Sequence, residues 1–342
     1  MSPDLSTAVA VRQASSASAD AGARPHRARR PQYLLVAGPV VTLALLFGVL
    51  SVASSAFLSK TNLLNMLEAN AAIGIAACAG TLVIVSGCLD VSVGAIYALA
   101  GVLGARVVIA TGSVPLGLAA GLGAGAAMGL FNGLVITVGR VNSFVATLAG
   151  GIMFLSGAQV LAGGELLTPE AKHYTDLGRH ATLGVKWSIW LFVLAALITG
   201  LLLARSRFGR HIVVVGANEE AARLSGVPVA RTRCLAFVLS GVAAALAGLI
   251  ATSRGGQIDG NIGGTSYVLA VIAAIAIGGT NLRGGEGAVW RTVVGVLFLG
   301  LVTNGLGLLN VDPTYYQLFT GLLILAAIGV DATMRRVVGD SG

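Results

Sequence analysis

The chain has 342 residues, of which 56% are hydrophobic and 11% charged, and its mean hydropathy is +0.87. Soluble domains carry roughly 25% charged residues, so the polar surface of a water-soluble enzyme is absent, and disorder is excluded by the apolar content. A hydrocarbon core of ~30 Å takes ~20 apolar residues per helix, which leaves room for about ten spans; the apolar runs are continuous and not alternating, which argues against a β-barrel.

Residues 1–32 are rich in Ala, Ser, Arg and Pro without apolar periodicity and read as a flexible cytoplasmic tail. Apolar runs then place spans at 34–54, 69–87, 91–110, 115–138, 144–163, 187–204, 234–252, 266–280, 290–309 and 315–331. They lie within a membrane domain at 33–333, followed by a short cytoplasmic tail at 334–342. The 48 glycines suit close helix–helix approach. Cys78, Cys88 and Cys234 have no paired spacing and read as packing residues.

The net charge of +8 is a matter of sidedness. With the N-terminus inside, sixteen of the 22 basic residues fall in cytoplasmic segments, among them Arg140, Arg205, Arg207, Arg210, Arg223, Arg231, Arg233, Arg335 and Arg336. The other six are Lys60, Arg106, Lys172, Arg179, Lys186 and Arg254. This bias places both termini in the cytoplasm, and the +8 is not a nucleic-acid footprint. An internal echo runs from Gly129-Leu-Phe-Asn132-Gly133-Leu134 to Gly300-Leu-Val-Thr-Asn304-Gly305-Leu306, each followed by a polar break and a further apolar run. The fold class expected is all-α and polytopic, with an internal pseudo-repeat of the kind on which transporters are built.

The longest cytoplasmic loop, 205–233, contains a short helix with its ends written in. Asn218 suits the N-cap, Glu219 and Glu220 sit at the positive end of the dipole and Arg223 near the negative end. Gly226 suits a left-handed C′ position and Pro228 a stop. Ala221, Ala222 and Leu224 form a modest apolar side. Such a helix is either a lever for a cytoplasmic partner or a plain surface connector.

Five stretches carry a resemblance. Ser86-Gly-Cys-Leu-Asp-Val-Ser-Val-Gly94, Asn142-Ser-Phe-Val-Ala-Thr-Leu148, Asn218-Glu-Glu-Ala-Ala-Arg-Leu-Ser-Gly-Val-Pro-Val229, Gly278-Gly-Thr-Asn-Leu-Arg-Gly-Gly-Glu-Gly287, and Asn304-Gly-Leu with Asn310-Val-Asp-Pro313 resemble, in order, motifs of the ribose/arabinose/xylose-type permeases of ABC import systems. The 218–229 loop and the Asn310 region look most similar to L-arabinose permeases. The chain departs from the family pattern at Cys88, at Leu155-Ser156 and at Val268 and Ala270.

The resemblance implies the membrane subunit of a monosaccharide importer in the bacterial cytoplasmic (inner) membrane. Two copies would form the path as a homodimer, with ATPase subunits on the cytoplasmic side and a periplasmic or lipid-anchored sugar-binding protein outside. No GxxxxGK[ST] occurs, and none of the three lysines follows a glycine. A P-loop needs that lysine, so ATP and Mg belong to a partner and the chain itself needs no cofactor.

Asn70, Ser86, Asp90, Ser92, Asn132, Asn142, Thr147 and Asn304 form a polar, mostly uncharged set in or beside the spans, along with Gln159 and Thr303. Each is either glue between helices or a wall of a path suited to a neutral sugar. Asp90 opens an apolar run and reads as the N-cap of that helix or as a residue of the path. An ion- or proton-coupled secondary transporter, the alternative, would need more intramembrane acids than Asp90. Intramembrane catalysis is excluded: no GxSxG or HExxH appears, and the four histidines lie outside the spans.

Overall fold

The structure, a computed structural model, describes residues 32–319 together with 321, 322, 325 and 329. The tails at 1–31 and 334–342 and eight residues of the run at 315–331 lie outside the described residues. Residues 37–342 form one compact unit, and the chain before them belongs to a separate one.

The elements in order are α1 (Gln32–Ala53), α2 (Lys60–Val85), α3 (Val93–Thr111), α4 (Val114–Thr137), α5 (Ser143–Ala162), α6 (Asp176–Arg179), a hairpin of β1 (Ala181–Thr182) and β2 (Val185–Lys186), α7 (Trp187–Arg205), α8 (Arg207–Ala217), α9 (Glu219–Leu224), α10 (Val229–Gly255), α11 (Thr265–Ile277) and α12 (Val289–Leu308). A 3₁₀ turn at Pro313–Tyr315 follows. Seven of these, α2, α3, α4, α5, α7, α10 and α12, are long and apolar enough to cross a membrane. Gly38–Ala53 and α11 are shorter apolar helices. The molecule is thus mostly helical and polytopic in its described part, with one short β-hairpin.

Two expected spans change. The one placed at 69–87 starts at Lys60, capped by Ser59, whose hydroxyl accepts from the Asn62 N–H at 3.3 Å. The polar residues that obscure this first stretch have partners inside the protein. Asn62 and Asn304 exchange two amide hydrogen bonds at 3.1 and 2.8 Å, and buried Glu68 receives Arg254 at 3.1 Å and Lys186 at 3.8 Å. The span placed at 266–280 is the 13-residue α11, which ends at Ile277 because Gly278 and Gly279 follow it, the latter at φ +81°.

The two longest helices, α2 and α10, pack against each other at the centre. α7, α11 and α12 lie against α2, while α3 and α4 lie against α10. Glycine explains how closely they come. Gly117, Gly121, Gly125, Gly129 and Gly133 recur every fourth residue of α4. Four residues advance a helix face by about 40°, so the stripe turns as it descends. A Cβ at Gly117 would strike Val108 and the Gly104 carbonyl of α3. One at Gly121 would meet both the Ala100 carbonyl and Leu249, and at Gly125, Gly129 and Gly133 it would meet Gly241, Phe237 and Cys234 of α10. One helix therefore seals two neighbours without side chains between the backbones.

Two extended breaks interrupt this helical mass. Residues 86–92 join α2 to α3, and residues 256–264 join α10 to α11. They meet back to back: a Cβ at Gly94 would strike the Gly263 carbonyl, and one at Gly263 the Gly94 carbonyl. The rings of Tyr97 and Tyr267 lie 4.4 Å apart beside this contact, and the Tyr267 hydroxyl donates to the Ala72 carbonyl at 3.0 Å.

Candidate functional site

The first break is held by side chains from three helices. Asp90 Oδ1 accepts from the Ser92 N–H at 3.0 Å and from the Ser92 hydroxyl at 2.6 Å. Its Oδ2 accepts from the Ser240 hydroxyl of α10 at 3.0 Å. Asn132 of α4 donates from Nδ2 to Ser92 Oγ at 2.8 Å. From α5, the Ser143 hydroxyl accepts from the Leu89 N–H at 3.1 Å, and the Thr147 hydroxyl accepts from the Val91 N–H at 3.2 Å. Non-helical backbone inside a membrane protein must find such internal partners. Asp90, Ser92, Asn132 and Thr147 are all buried. Ser240 lies eleven residues past Val229, so the network sits roughly 16 Å along α10 from its start.

The structure corrects the reading of Asp90 as a helix cap. The N-cap of α3 is Ser92, which makes no side-chain cap bond, and Asp90 closes an Asx turn two residues before it. Ser86 caps the C-terminus of α2 and donates to the Val83 carbonyl at 2.7 Å. The remaining members of the expected polar set are dispersed. Asn142 caps α5, accepting from the Phe144 N–H at 2.9 Å. Asn70 donates to the Met66 carbonyl at 2.9 Å and lies against Gly300. Asn304 pairs with Asn62, Gln159 donates to Asn261 at 2.9 Å, and Thr303 bonds back to its own helix.

The second break repeats the first in miniature. Asp90-Val-Ser92-Val-Gly94 and Asp259-Gly-Asn261-Ile-Gly263 share an Asp-x-polar-aliphatic-Gly pattern, and the Asn261 N–H donates to Asp259 Oδ1 at 2.7 Å in a matching Asx turn. The last residues of the two patterns are the glycines that touch. Here Gln257, Asp259, Asn261, Thr265 and Ser266 are exposed, and Ile258 is held by a two-way backbone bridge to Leu167 at 2.8 and 2.9 Å. Sequence reasoning missed these residues; the echo of the aspartate pattern was the signal available.

On the face that holds α8 and α9, the capped helix forms as its sequence dictates. Asn218 Oδ1 accepts from the Ala221 N–H at 2.9 Å, and Gly226 takes φ +77° at C′. Ala222 is fully buried and Leu224 is exposed. Glu220 pairs with Arg223 at 2.6 Å on the exposed side, raising the guanidinium's pKa. Glu219 instead reaches across to Arg233 at 2.7 Å, and Arg233 Nε points at the Ser86 carbonyl at 3.5 Å. Gly87, Gly216 and Gly284 meet backbone to backbone, and the Gly285 N–H donates to the Val85 carbonyl at 2.8 Å. α9 is thereby joined to the entrance of the first break through one arginine and three glycines. A cavity of about 900 Å³ lies beside it, lined among others by Cys88, Arg140, Asn142, Glu219, Arg223 and Arg231. Glu286 is exposed and makes no ion pair with Arg283 or Arg291 among the described residues. The amphipathic α8, with Ile212 and Val215 buried, was not anticipated, although its apolar spacing is helical.

Comparison with known proteins gives these features a setting. The sequence profile of the family described as "Branched-chain amino acid transport system / permease component" matches residues 62–328. The chain belongs to this permease family. It is 36% identical over 327 residues to the L-arabinose ABC transporter permease protein of Azospirillum brasilense, covering 95% of this chain and 96% of the relative. It is 39% identical over 301 residues to the L-arabinose transport system permease protein of Escherichia coli K12, covering 87% and 91%. With the ribose import permease protein of Bacillus subtilis the identity is 38% over 296 residues, covering 86% and 92%. No solved structure matches the chain. The permease is a transport subunit and not an enzyme, and the resemblance to arabinose- and ribose-type sugar permeases agrees with these relatives.

Proposed function

We propose that this permease is the membrane-spanning subunit of an ATP-driven importer for a pentose or similar monosaccharide. The observation that carries the coupling part of this reading is the Glu219–Arg233–Ser86 link, which joins an exposed capped helix to the first break. In this reading a separate ATPase, holding ATP and Mg, moves α9, and Arg233 passes the displacement to residues 86–92. The coupling segment is α9 with its caps, Asn218, Glu219, Glu220, Ala221, Ala222, Arg223, Leu224 and Gly226, of which buried Ala222 fixes the helix to the protein and the others face the partner.

The path runs beside the meeting point of the breaks. Two helix N-termini begin there, and their free N–H groups and positive dipole ends suit hydroxyl oxygens. Ser86, Asp90, Ser92, Asn132 and Thr147 border it from one break, and Asn70, Asn142 and Asn304 from the surrounding helices. Two copies form the conduit, a sugar-binding protein delivers the solute on the side of Lys60 and Lys186, and the assembly lies in the inner membrane. The arginine bias and the paired aspartate patterns support ten spans, cytoplasmic termini and an inverted repeat. Alternating access is then a shift between two packings of these halves.

Ion coupling is the second reading, favoured by the buried carboxylate of Asp90. Uptake of labelled L-arabinose and ribose separates the two. With ATP clamped, uptake continues after a protonophore is added if the ATP-driven reading holds; collapse of uptake selects ion coupling, and loss of neither sugar on deletion of the gene rejects the sugar assignment.

A further inference from the structure

An apolar groove of about 560 Å³ opens between α7 and α12. Its floor is Gly200, where a Cβ would lie 3.8 Å from that of Val289. Along α7 the groove runs from Phe192 to Ala204, roughly 18 Å, which is the length of an extended acyl chain. At the far end it is closed by Val213 of α8 and by Trp290, whose side is half exposed.

The charges around that end are mostly of one sign: Glu286, exposed just before the lining residue Gly287, is the one acid beside four arginines. Residues 187–217 and 287–308, which make both walls and α8, contain Arg205, Arg207, Arg210 and Arg291 and no acid. Arg205, Arg207 and Arg210 are exposed, and none of the four joins an ion pair among the described residues. Arg210 is one turn before Val213 on the same face of α8. The guanidinium of Arg291 stands 5.7 Å from the centre of the Trp290 ring, and its Nε is buried with no hydrogen-bond partner. A tryptophan beside unpaired arginines, at the mouth of an apolar slot between membrane helices, is the arrangement that holds an anionic lipid head group.

The geometry points to a bound anionic phospholipid: one acyl chain lies in the α7–α12 groove and the phosphate sits between Arg291 and Arg210. The inference rests on the chain being membrane-embedded and not on which solute it carries. Free phosphate would have no use for the 18 Å slot, and a soluble protein could not reach it.

The test uses the tryptophans. Trp187→Phe with Trp190→Phe leaves Trp290 as the only one of three. The full permease is reconstituted in phosphatidylcholine vesicles containing a minor fraction of brominated phosphatidylglycerol or brominated phosphatidylcholine, and quenching of Trp290 is recorded. Near an anionic surface each basic residue is worth about a fivefold preference, so phosphatidylglycerol should quench at least about fivefold more effectively. Arg291→Gln with Arg210→Gln should bring the ratio close to unity, Arg291→Lys should retain most of it, and Gly200→Leu should weaken quenching by either lipid. Equal quenching in the parent, a ratio unchanged by the double Gln variant, or protection of Trp290 from both lipids by a second protein copy would each overturn the assignment. Sugar uptake plays no part in the readout, so its failure leaves this result standing.

Discussion

In the first break, Asp90 spends both carboxylate oxygens on Ser92 and Ser240, and hydroxyls of Ser143 and Thr147 accept the Leu89 and Val91 N–H groups. In the second, Asp259 makes the same Asx turn but stays exposed, and a backbone bridge to Leu167 does the holding. One pattern is thus built once into the interior and once onto an open surface. Burial sets the consequence. A buried polar group left without its partner costs about 1–3 kcal/mol, while an exposed one returns to water. The first break is a bonded unit that shifts only as a whole, and the second is free to interact with whatever passes.

The sharpest way to break this comparison is to separate the two. Gly94→Val would drive a side chain into the Gly263 backbone, and Gly263, at φ +75°, cannot retreat. Overpacking of this kind costs about 3 kcal/mol or more; the expected outcome is loss of monodisperse protein on size exclusion. Next, Asp90→Ala should destabilise by about 2 kcal/mol or more, since Ser92 and Ser240 lose a shared acceptor, and Asp90→Asn should recover most of it. Asp259→Ala should change the thermal midpoint little, and equal losses at the two aspartates would erase the contrast. Glu219→Ala should lower uptake several-fold relative to ATP hydrolysis in the assembled transporter, with stability altered by less than about 1 kcal/mol because the pair is partly exposed. The smallest effect on folding is expected for Asn261→Ala, whose mark should be a changed KM for sugar at unchanged melting temperature.

Hydropathy alone made the class and most of the spans legible, because apolar length is what a membrane demands. The α9 helix was legible for a different reason: Asn218, Gly226 and Pro228 act through local backbone geometry. What was not legible depended on partners far along the chain. Asn62 and Glu68 look like loop residues until Asn304 and Arg254 stand opposite them. Asp90 looks like a cap until Ser240, Asn132 and Thr147 converge on its break. The shortness of α11 was hidden because the apolar run continues through the glycines that end it. In the second break, the resemblance of Asp259 to Asp90 was readable, but its meaning came only when Gly94 and Gly263 were seen in contact.

The turning glycine stripe of α4 also bears on how such a chain can change over generations. Its five glycines face first α3 and then α10, so the helix works as a phase-locked screw. A single inserted residue would rotate everything beyond it by about 100°, turning the thread away from its nut. Point substitutions elsewhere on α4 can drift toward whatever lipid prefers, but insertions and deletions inside it are closed to selection unless they arrive near whole turns. Length in this segment should therefore be far more constant among descendants than composition.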